Sequence, residues 1–437
     1  MPACPSTKAA TRLKVLCVSG SLGGGGSERQ LWQLVSHLDR TRFQCHVYLQ
    51  YRQGIYLHRL PPDVIVHSFW SPERPEKRRF PGQVFRSLVA DLARVIVAHQ
   101  IDIVYDRTYH ATLFSSLATA WTRTPRASVI VCPPSRDIAG NRERFRFCKR
   151  WLLKRAYQSS TALTLAVSDD VADDAARYYG IQRDKIQVIA SPVDIASVQT
   201  LAKQPTKDLA CLNTPLQLSD TPSFEDNSPY RIPDARMPML GRREQALPKD
   251  RFQIAVVARL SAEKGQSALL RAVAALISHP EDAIDCHVHI IGEGADRAKI
   301  QQLIVDLQIQ SRVTMHGFLN NPYPLIAQCD LLCIPSLYEG LPNVALESLA
   351  IGTPIVASRC SHSLVDLLGD EQRGLLFDIN DHQQLAQQIA KSARDVRSAR
   401  ARARAGQTWV RQHHSIEDWL NKMSQLFLRL RAGTSSL

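Results

Sequence analysis

At 437 residues the chain is too long for one hydrophobic core, so two domains are expected, each able to bury a core of its own. Its 44% hydrophobic and 22% charged residues are those of an ordinary globular protein rather than a disordered one. No apolar run reaches the roughly 18 to 20 residues needed to cross a bilayer. The amino-terminal stretch MPACPSTKAATRLKVLCV lacks a signal-peptide core, which leads us to expect a cytoplasmic protein. Ten cysteines occur without a Cys-x-x-Cys pair; this argues against a zinc ribbon or a thioredoxin-like redox site and suits buried free thiols in a reducing compartment. The net charge of +13 is lopsided. Residues 1–200 carry 28 Lys+Arg against 16 Asp+Glu, whereas residues 201–437 carry 26 against 25.

The first strand expected in the chain is LKVLCVSG. It is followed by CHVYL (45–49), DVIVHSF (63–69), DIVY (102–105), ASVIVC (127–132), LTLAVS (163–168) and KIQVIA (185–190). Helical stretches such as RSLVADLARVIVAHQ lie between several of them, and this alternation predicts a parallel sheet with crossover helices. Residues 203–250 are rich in Pro, Asp, Ser and Asn without periodicity, as in a linker or inserted loop. A second series then runs through FQIAVVARL, CHVHIIGEG, RVTMHGF, LLCIPS, TPIVASR and GLLFDI. The Arg/Ala-biased RSARARARAG (397–406) reads as a solvated helix face. At the end, Ile416, Trp419, Leu420, Met423, Leu426, Phe427 and Leu430 recur at helical spacing and predict an amphipathic helix. The expected organisation is a first α/β domain over 12–195, a linker or insertion over 196–250, a second α/β domain over 251–415, and a final helix over 416–431.

The glycine-rich stretch SGSLGGGGSERQLWQLVSHL follows the first strand and opens a helix, with Ser27 and Gln30 placed as a capping box. It contains no G-x-G-x-x-G, and the second strand does not end in an acidic residue, so a nicotinamide cofactor is disfavoured. His110 follows the fourth strand, at the carboxyl edge of the sheet; a lone histidine there is either structural or ligand-contacting. In NRERFRFCKRWLLKR (141–155) basic and aromatic residues interleave. Two readings stand: a helix lying on an anionic membrane surface, or an apolar face turned to the core with a solvated basic one. No nucleic-acid reader motif accompanies the charge, so no nucleic-acid partner is expected.

The richest stretch is SLYEGLPNVALESLA, Ser336 to Ala350. Pro342 suits the first turn of a helix, and Gly352 followed by Pro354 suits its end. The preceding loop leaves the strand LLCIPS at the carboxyl edge, where open α/β sheets bind ligands. Amides from Leu341 to Val344 at a helix start favour an anion such as a diphosphate. Glu347 suits a pair of vicinal hydroxyls such as a ribose, and Glu339 a second polyol. Arg259 and Lys264, five apart in the loop after FQIAVV, suit a phosphate clamp. A phosphate flanked by two sugars is a nucleotide-sugar arrangement.

These residues carry a family resemblance. The segment resembles the Glu-x7-Glu signature of retaining glycosyltransferases of GT-B architecture, glycosyltransferase family 4. VARLSAEKG is similar to that family's Arg-Leu-x3-Lys-Gly element, IIGEG to its Gly-x-Gly turn, and CDLLCIPSLYEGLPNVALESLAIGTPIVAS to its central block. The likeness extends over 252–380, is looser over 13–195 and is absent from the seam. It implies an α/β GT-B fold, two Rossmann-like domains facing across a cleft. By the same resemblance, Arg259 and Lys264 would pair with the donor diphosphate, and Glu347 would bind the ribose. Glu339 would bind the transferred sugar, helped by the backbone of Gly340, Leu341, Pro342, Asn343 and Val344. Gly25 and Gly26, with Glu28, match a Gly-Gly-x-Glu turn whose backbone approaches the donor phosphate, and His110 would contact the sugar. Ser191 and Pro192 depart from the family's usual Asn-Gly at that turn.

The implied partners are a nucleotide-sugar donor, with uridine the leaning, and a glycan or lipid-linked acceptor, at the cytoplasmic face of a membrane. No Asp-x-Asp occurs, so a metal-independent reaction without a cofactor is expected. Two rivals remain open: a nucleotide-sugar epimerase of the same fold, and a catalytically silent sugar-nucleotide binder at a membrane surface.

Overall fold

The computed structural model describes residues 12–71, 82–140, 145–205, 247, 251–278 and 283–433. Most of the seam 203–250 and residues 141–144 of the basic stretch lie outside the described residues. The chain divides into two units, Met1–Ile189 with Glu417–Leu437, and Ala190–Ile416. Among the described residues no helix is long and apolar enough to cross a membrane.

In the first unit the strands are β1 (Leu13–Ser19), β2 (Phe43–Tyr51), β3 (Ile65–Trp70), β4 (Ile103–Arg107), β5 (Arg126–Ile130), β6 (Ala162–Ala166) and β7 (Ile186–Val188). They form one sheet in the order β3-β2-β1-β4-β5-β6-β7, with every pairing parallel. Continuous apolar runs such as VLCV in β1 become strands because a parallel sheet covered by helices buries both faces. One face packs on Leu88, Leu92 and Ile96 of helix Gln83–Ala98. The other receives the chain's last helix, Ile416–Arg431, through Trp419, Met423, Leu426 and Phe427. The Phe427 ring meets Phe43 and Tyr105 edge-on, with centroids 6.2 and 5.9 Å away, and Arg431 reaches Asp102 at 3.2 Å.

The second unit repeats the plan. Its strands are β8 (Phe252–Val257), β9 (Cys286–Ile291), β10 (Val313–Gly317), β11 (Leu331–Ile334), β12 (Ile355–Ser358) and β13 (Leu375–Phe377). Their order is β10-β9-β8-β11-β12-β13, again all parallel. Residues 196–202, which the sequence places at the start of a linker, belong to the helix Ile195–Ala202 of this unit. Asp194 caps it, accepting from the Ser197 amide at 2.9 Å. Val198 is buried in the unit's core, and Gln199 Nε2 donates to Ala350 O at 2.9 Å. The chain therefore leaves the first unit earlier than its composition suggests, and Val193 pairs with Ser415 within the second.

A charged network unannounced by the sequence lies inside the first unit. Asp106, at the end of β4, is fully buried. It accepts from Thr112 Oγ1 and Ser115 Oγ, both at 2.6 Å, and from Ser128 Oγ at 2.9 Å. Arg126 Nη1 stands 3.5 Å away and Arg126 Nη2 donates to Ala156 O at 2.7 Å. The network pins helix Tyr109–Thr122 to β4 and β5. Removing one member of a buried pair strands the other's charge, a loss of about 3–5 kcal/mol. Asp106→Ala is therefore expected to lower unfolding stability by that amount, measured by urea denaturation of the full chain followed at the first unit's tryptophans.

Candidate functional site

In each sheet the strand order reverses beside the first strand: between β1 and β4 in the first, between β8 and β11 in the second. At such a switch point successive crossovers leave to opposite faces and the loops at the carboxyl ends part, opening a crevice. The site residues expected from the sequence lie on the loops, or in the first turns of the helices, that follow these four strands.

After β8 the chain makes a short 3-10 turn, Ala262–Lys264, and passes through Gly265 at φ +66° into helix Gln266–Ser278. A Cβ on Gly265 would sit 1.9 Å from the carbonyl oxygen of Pro335. Glycine is required there both by the left-handed backbone and by this contact. Alongside it the Leu337 amide donates to Glu263 O at 2.8 Å. The two loops are thus joined backbone to backbone, which brings Lys264 Nζ within 2.6 Å of Glu339 Oε1. The same carboxylate oxygen accepts from Ser336 Oγ at 2.8 Å, and Ser358 Oγ donates to Ser336 O at 2.5 Å. The ion pair is half-buried, with side chains 22% and 12% exposed. Arg259 is exposed on the same loop, its backbone carbonyl held by Gln266 Nε2 at 2.8 Å. Among the described residues no carboxylate pairs with its guanidinium.

After β11 the loop leads into helix Asn343–Ile351, which ends at Gly352 with φ +94°. Pro342 stands one position earlier than the sequence suggests, at the N-cap rather than in the first turn, where its φ of −69° and ψ of 118° are extended. No side chain caps this helix and no acidic residue occupies its first turn, so its positive end is electrostatically open. Leu341 and Val344 turn their side chains to the core. Gly340 is buried, its carbonyl oxygen accepting from Ser363 Oγ at 2.7 Å. Glu347 lies one turn in, only 6% exposed. Ser336, Ser358 and Ser363 are invisible to sequence reasoning because isolated serines carry no local signal. Cys360 adjoins the pair; burial, opposed by a hydrogen bond with the Ser358 side chain and reinforced by the Glu339 charge, pushes its thiol up to about 11.

In the first unit Gly25 and Gly26 are exposed at the end of β1. The helix Gly26–His37 begins there, with Gly25 as its N-cap and no side-chain cap. The capping box expected from Ser27 and Gln30 is therefore absent, since Ser27 already lies inside the first turn. Instead Glu28 folds back over Gly25: a Cβ there would meet Glu28 Oε2 at 2.3 Å. His110 is exposed, the second residue of helix Tyr109–Thr122, with its ring 3.9 Å from that of Tyr109. Thr108, just before that helix, has φ +74° and ψ 145°, a conformation costly for a β-branched residue. Such strain collects at ligand-binding edges.

The description "Glycosyltransferase Family 4" matches residues 24–197, and "Glycosyl transferases group 1" matches residues 241–409. A Campylobacter jejuni N-acetylgalactosamine-N,N'-diacetylbacillosaminyl-diphospho-undecaprenol 4-alpha-N-acetylgalactosaminyltransferase is 32% identical over 153 residues, 35% of this chain and 40% of its own. The lipopolysaccharide core biosynthesis glycosyltransferase LpsE of Rhizobium meliloti is 31% identical over 160 residues, 37% of this chain and 45% of its own. The chain thus spans less than half the length of these curated relatives. In three dimensions it is similar to Anabaena HepE, solved in complex with UDP and glucose, with a TM-score of 0.71 at 20% identity over 95% of this chain and 99% of that one. The two sheets with their switch points, the loop joined through Gly265, and the matches to both halves agree: the chain belongs to the GT-B glycosyltransferases of family 4.

Proposed function

We propose that the protein transfers a sugar from a uridine diphosphate sugar to a hydroxyl of a lipid-linked or glycan acceptor, with retention at the anomeric carbon and without a metal ion. The observation that carries this reading is the charge arrangement at the second switch point. An exposed guanidinium at Arg259, an ammonium at Lys264 and the open positive end of helix Asn343–Ile351 lie on adjoining loops. A nucleoside diphosphate gains negative charge as its bond to the sugar breaks, and cationic groups already in place stabilise that change most. The diphosphate competes with Glu339 for Lys264; as Lys264 swings to the phosphate, the freed carboxylate accepts from the sugar hydroxyls. The leaving phosphate oxygen takes the acceptor's proton on the same face, which accounts for retention without a protein nucleophile. Glu347 serves the ribose and His110 the transferred sugar. The UDP named in the HepE complex supports the choice of base, and the diphospho-undecaprenol in the Campylobacter relative's name supports a lipid-linked acceptor.

The basic helix Arg146–Tyr157 supports the same acceptor class. Leu153, Ala156 and Tyr157 are buried in the core, with Leu152 packed against it. Phe145, Phe147 and Trp151 are 78%, 71% and 57% exposed, so these three aromatic residues are not part of the helix's core face. Guanidiniums of Arg146 and Arg155 lie over the Phe147 and Trp151 rings, 5.0 and 4.9 Å from their centroids. Exposed aromatics among basic residues fit the interface of an anionic bilayer.

Two measurements test these readings. By calorimetry the protein is expected to bind UDP, and Arg259→Ala to weaken binding roughly 10- to 100-fold, the value of a charge-assisted hydrogen bond of about 1.5–3 kcal/mol. Absence of UDP binding, with no nucleoside diphosphate released from a panel of uridine, guanosine and adenosine diphosphate sugars, would overturn the transferase reading. In sedimentation with phosphatidylglycerol vesicles, Lys149→Gln, Arg150→Gln, Lys154→Gln and Arg155→Gln together are expected to release the protein, each charge contributing on the order of 1 kcal/mol. Unchanged sedimentation would count against the membrane surface.

A further inference from the structure

We propose that His46, His67 and His99 form a binding site for a divalent first-row transition metal, zinc foremost, built into the first unit apart from the sugar-transfer residues. The three come from separate elements. His46 lies in the first half of β2, His67 in the first half of β3, and His99 closes helix Gln83–Ala98. A ring nitrogen of each lies within 4.8 Å of the others, and among the described residues no other group of histidine, cysteine or acidic side chains converges this way. The His46 and His67 rings stack 5.4 Å apart with 8° between planes, and His46 Nδ1 lies 3.1 Å from His67 Nε2. The His99 ring centroid is 4.5 Å from that of His67 and 5.6 Å from that of His46. Three imidazoles suit zinc, copper or nickel, and leave one tetrahedral position for water.

His46 is 1% exposed, yet its Nε2 has no hydrogen-bond partner. That nitrogen lies across the ring from Nδ1, which faces His67 Nε2, so Nδ1 is the atom that His46 offers the cluster. The second unit supplies the contrast at the equivalent strand position. There His289 Nδ1 lies 3.0 Å from His316 Nε2, and His289 Nε2 lies 2.8 Å from Gln253 Oε1. Both ring nitrogens are satisfied, so that cluster is a closed polar network. Gln253 is the second residue of β8; the second residue of β1 is Lys14. Lys14 Nζ donates to the backbone carbonyl of His99 at 2.9 Å, leaving the imidazole open.

The nearby cations are Lys14, Arg94 and Arg431; of the nearby carboxylates, Asp91 takes Arg94 Nη2 at 2.5 Å and the Tyr48 hydroxyl at 2.9 Å, and Asp102 takes the Lys14 backbone amide at 2.9 Å and lies 3.2 Å from Arg431 Nε. The C-terminal end of helix Gln83–Ala98 and the first halves of β2 and β3 lie toward the amino edge of the sheet, away from the loops of Gly25 and His110. A metal there would clip edge strand β3 to its neighbour and to the helix, a structural role.

The test uses the full chain stripped with EDTA and titrated with zinc chloride against a chromophoric chelator, followed by thermal melting. One zinc per chain and a raised melting temperature are expected. His99→Ala and His67→Gln, each shown to be folded by circular dichroism, should weaken zinc binding at least about tenfold and abolish the thermal shift. Failure of the stripped protein to take up zinc, or equal uptake by wild type and both variants, would overturn the proposal. UDP binding is read separately, so neither result depends on the sugar-transfer reading.

Discussion

The second unit's site depends on one close backbone contact: residues 262–265 lie against residues 335–337, with Gly265 seated on the Pro335 carbonyl and Leu337 bonded to Glu263. These loops follow β8 and β11, adjacent strands whose crossovers leave in opposite directions. Left to themselves, loops at a switch point diverge. Locking them through the main chain rather than through long side chains fixes the position of Lys264 and Glu339 with little conformational entropy left to lose. The half-buried ion pair that results holds two opposite charges 2.6 Å apart.

The first unit meets a different demand at its own switch point. Its edge is held from beneath by the buried Asp106 network, which ties helix Tyr109–Thr122 to two strands. That rigidity allows Thr108 to remain at φ +74°, because the hydrogen bonds around it over-determine the turn. His110 is thereby presented on a fixed helix start rather than on a loose loop. The two units share a plan and differ in how they secure it, one by backbone contact and the other by a charged core.

Their histidine pairs show the same divergence. In the second unit Gln253 completes the pair, whereas in the first a lysine occupies that place and turns to the main chain. One substitution in the first strand thus separates a closed network from an open nitrogen.

Local chemistry in the sequence determined the order of the elements, because short continuous apolar runs, glycines and prolines act over a few neighbouring residues. It also determined which residues reach the carboxyl edges: Gly25, Gly26, His110, Arg259, Lys264 and Glu339 follow strands that the pattern marks clearly. Helix starts were less legible. Gly25 rather than Ser27 caps the first helix, and Pro342 stands outside its own, since a cap depends on backbone angles that several residues can satisfy. Tertiary structure alone decided the pairing of Lys264 with Glu339, the burial of Asp106 beside Arg126, the membership of helix Ile195–Ala202 in the second unit, and the meeting of His46, His67 and His99. Each joins positions far apart in the chain, and whether two distant charges or rings meet is set by strand order and crossover direction, which no local pattern encodes.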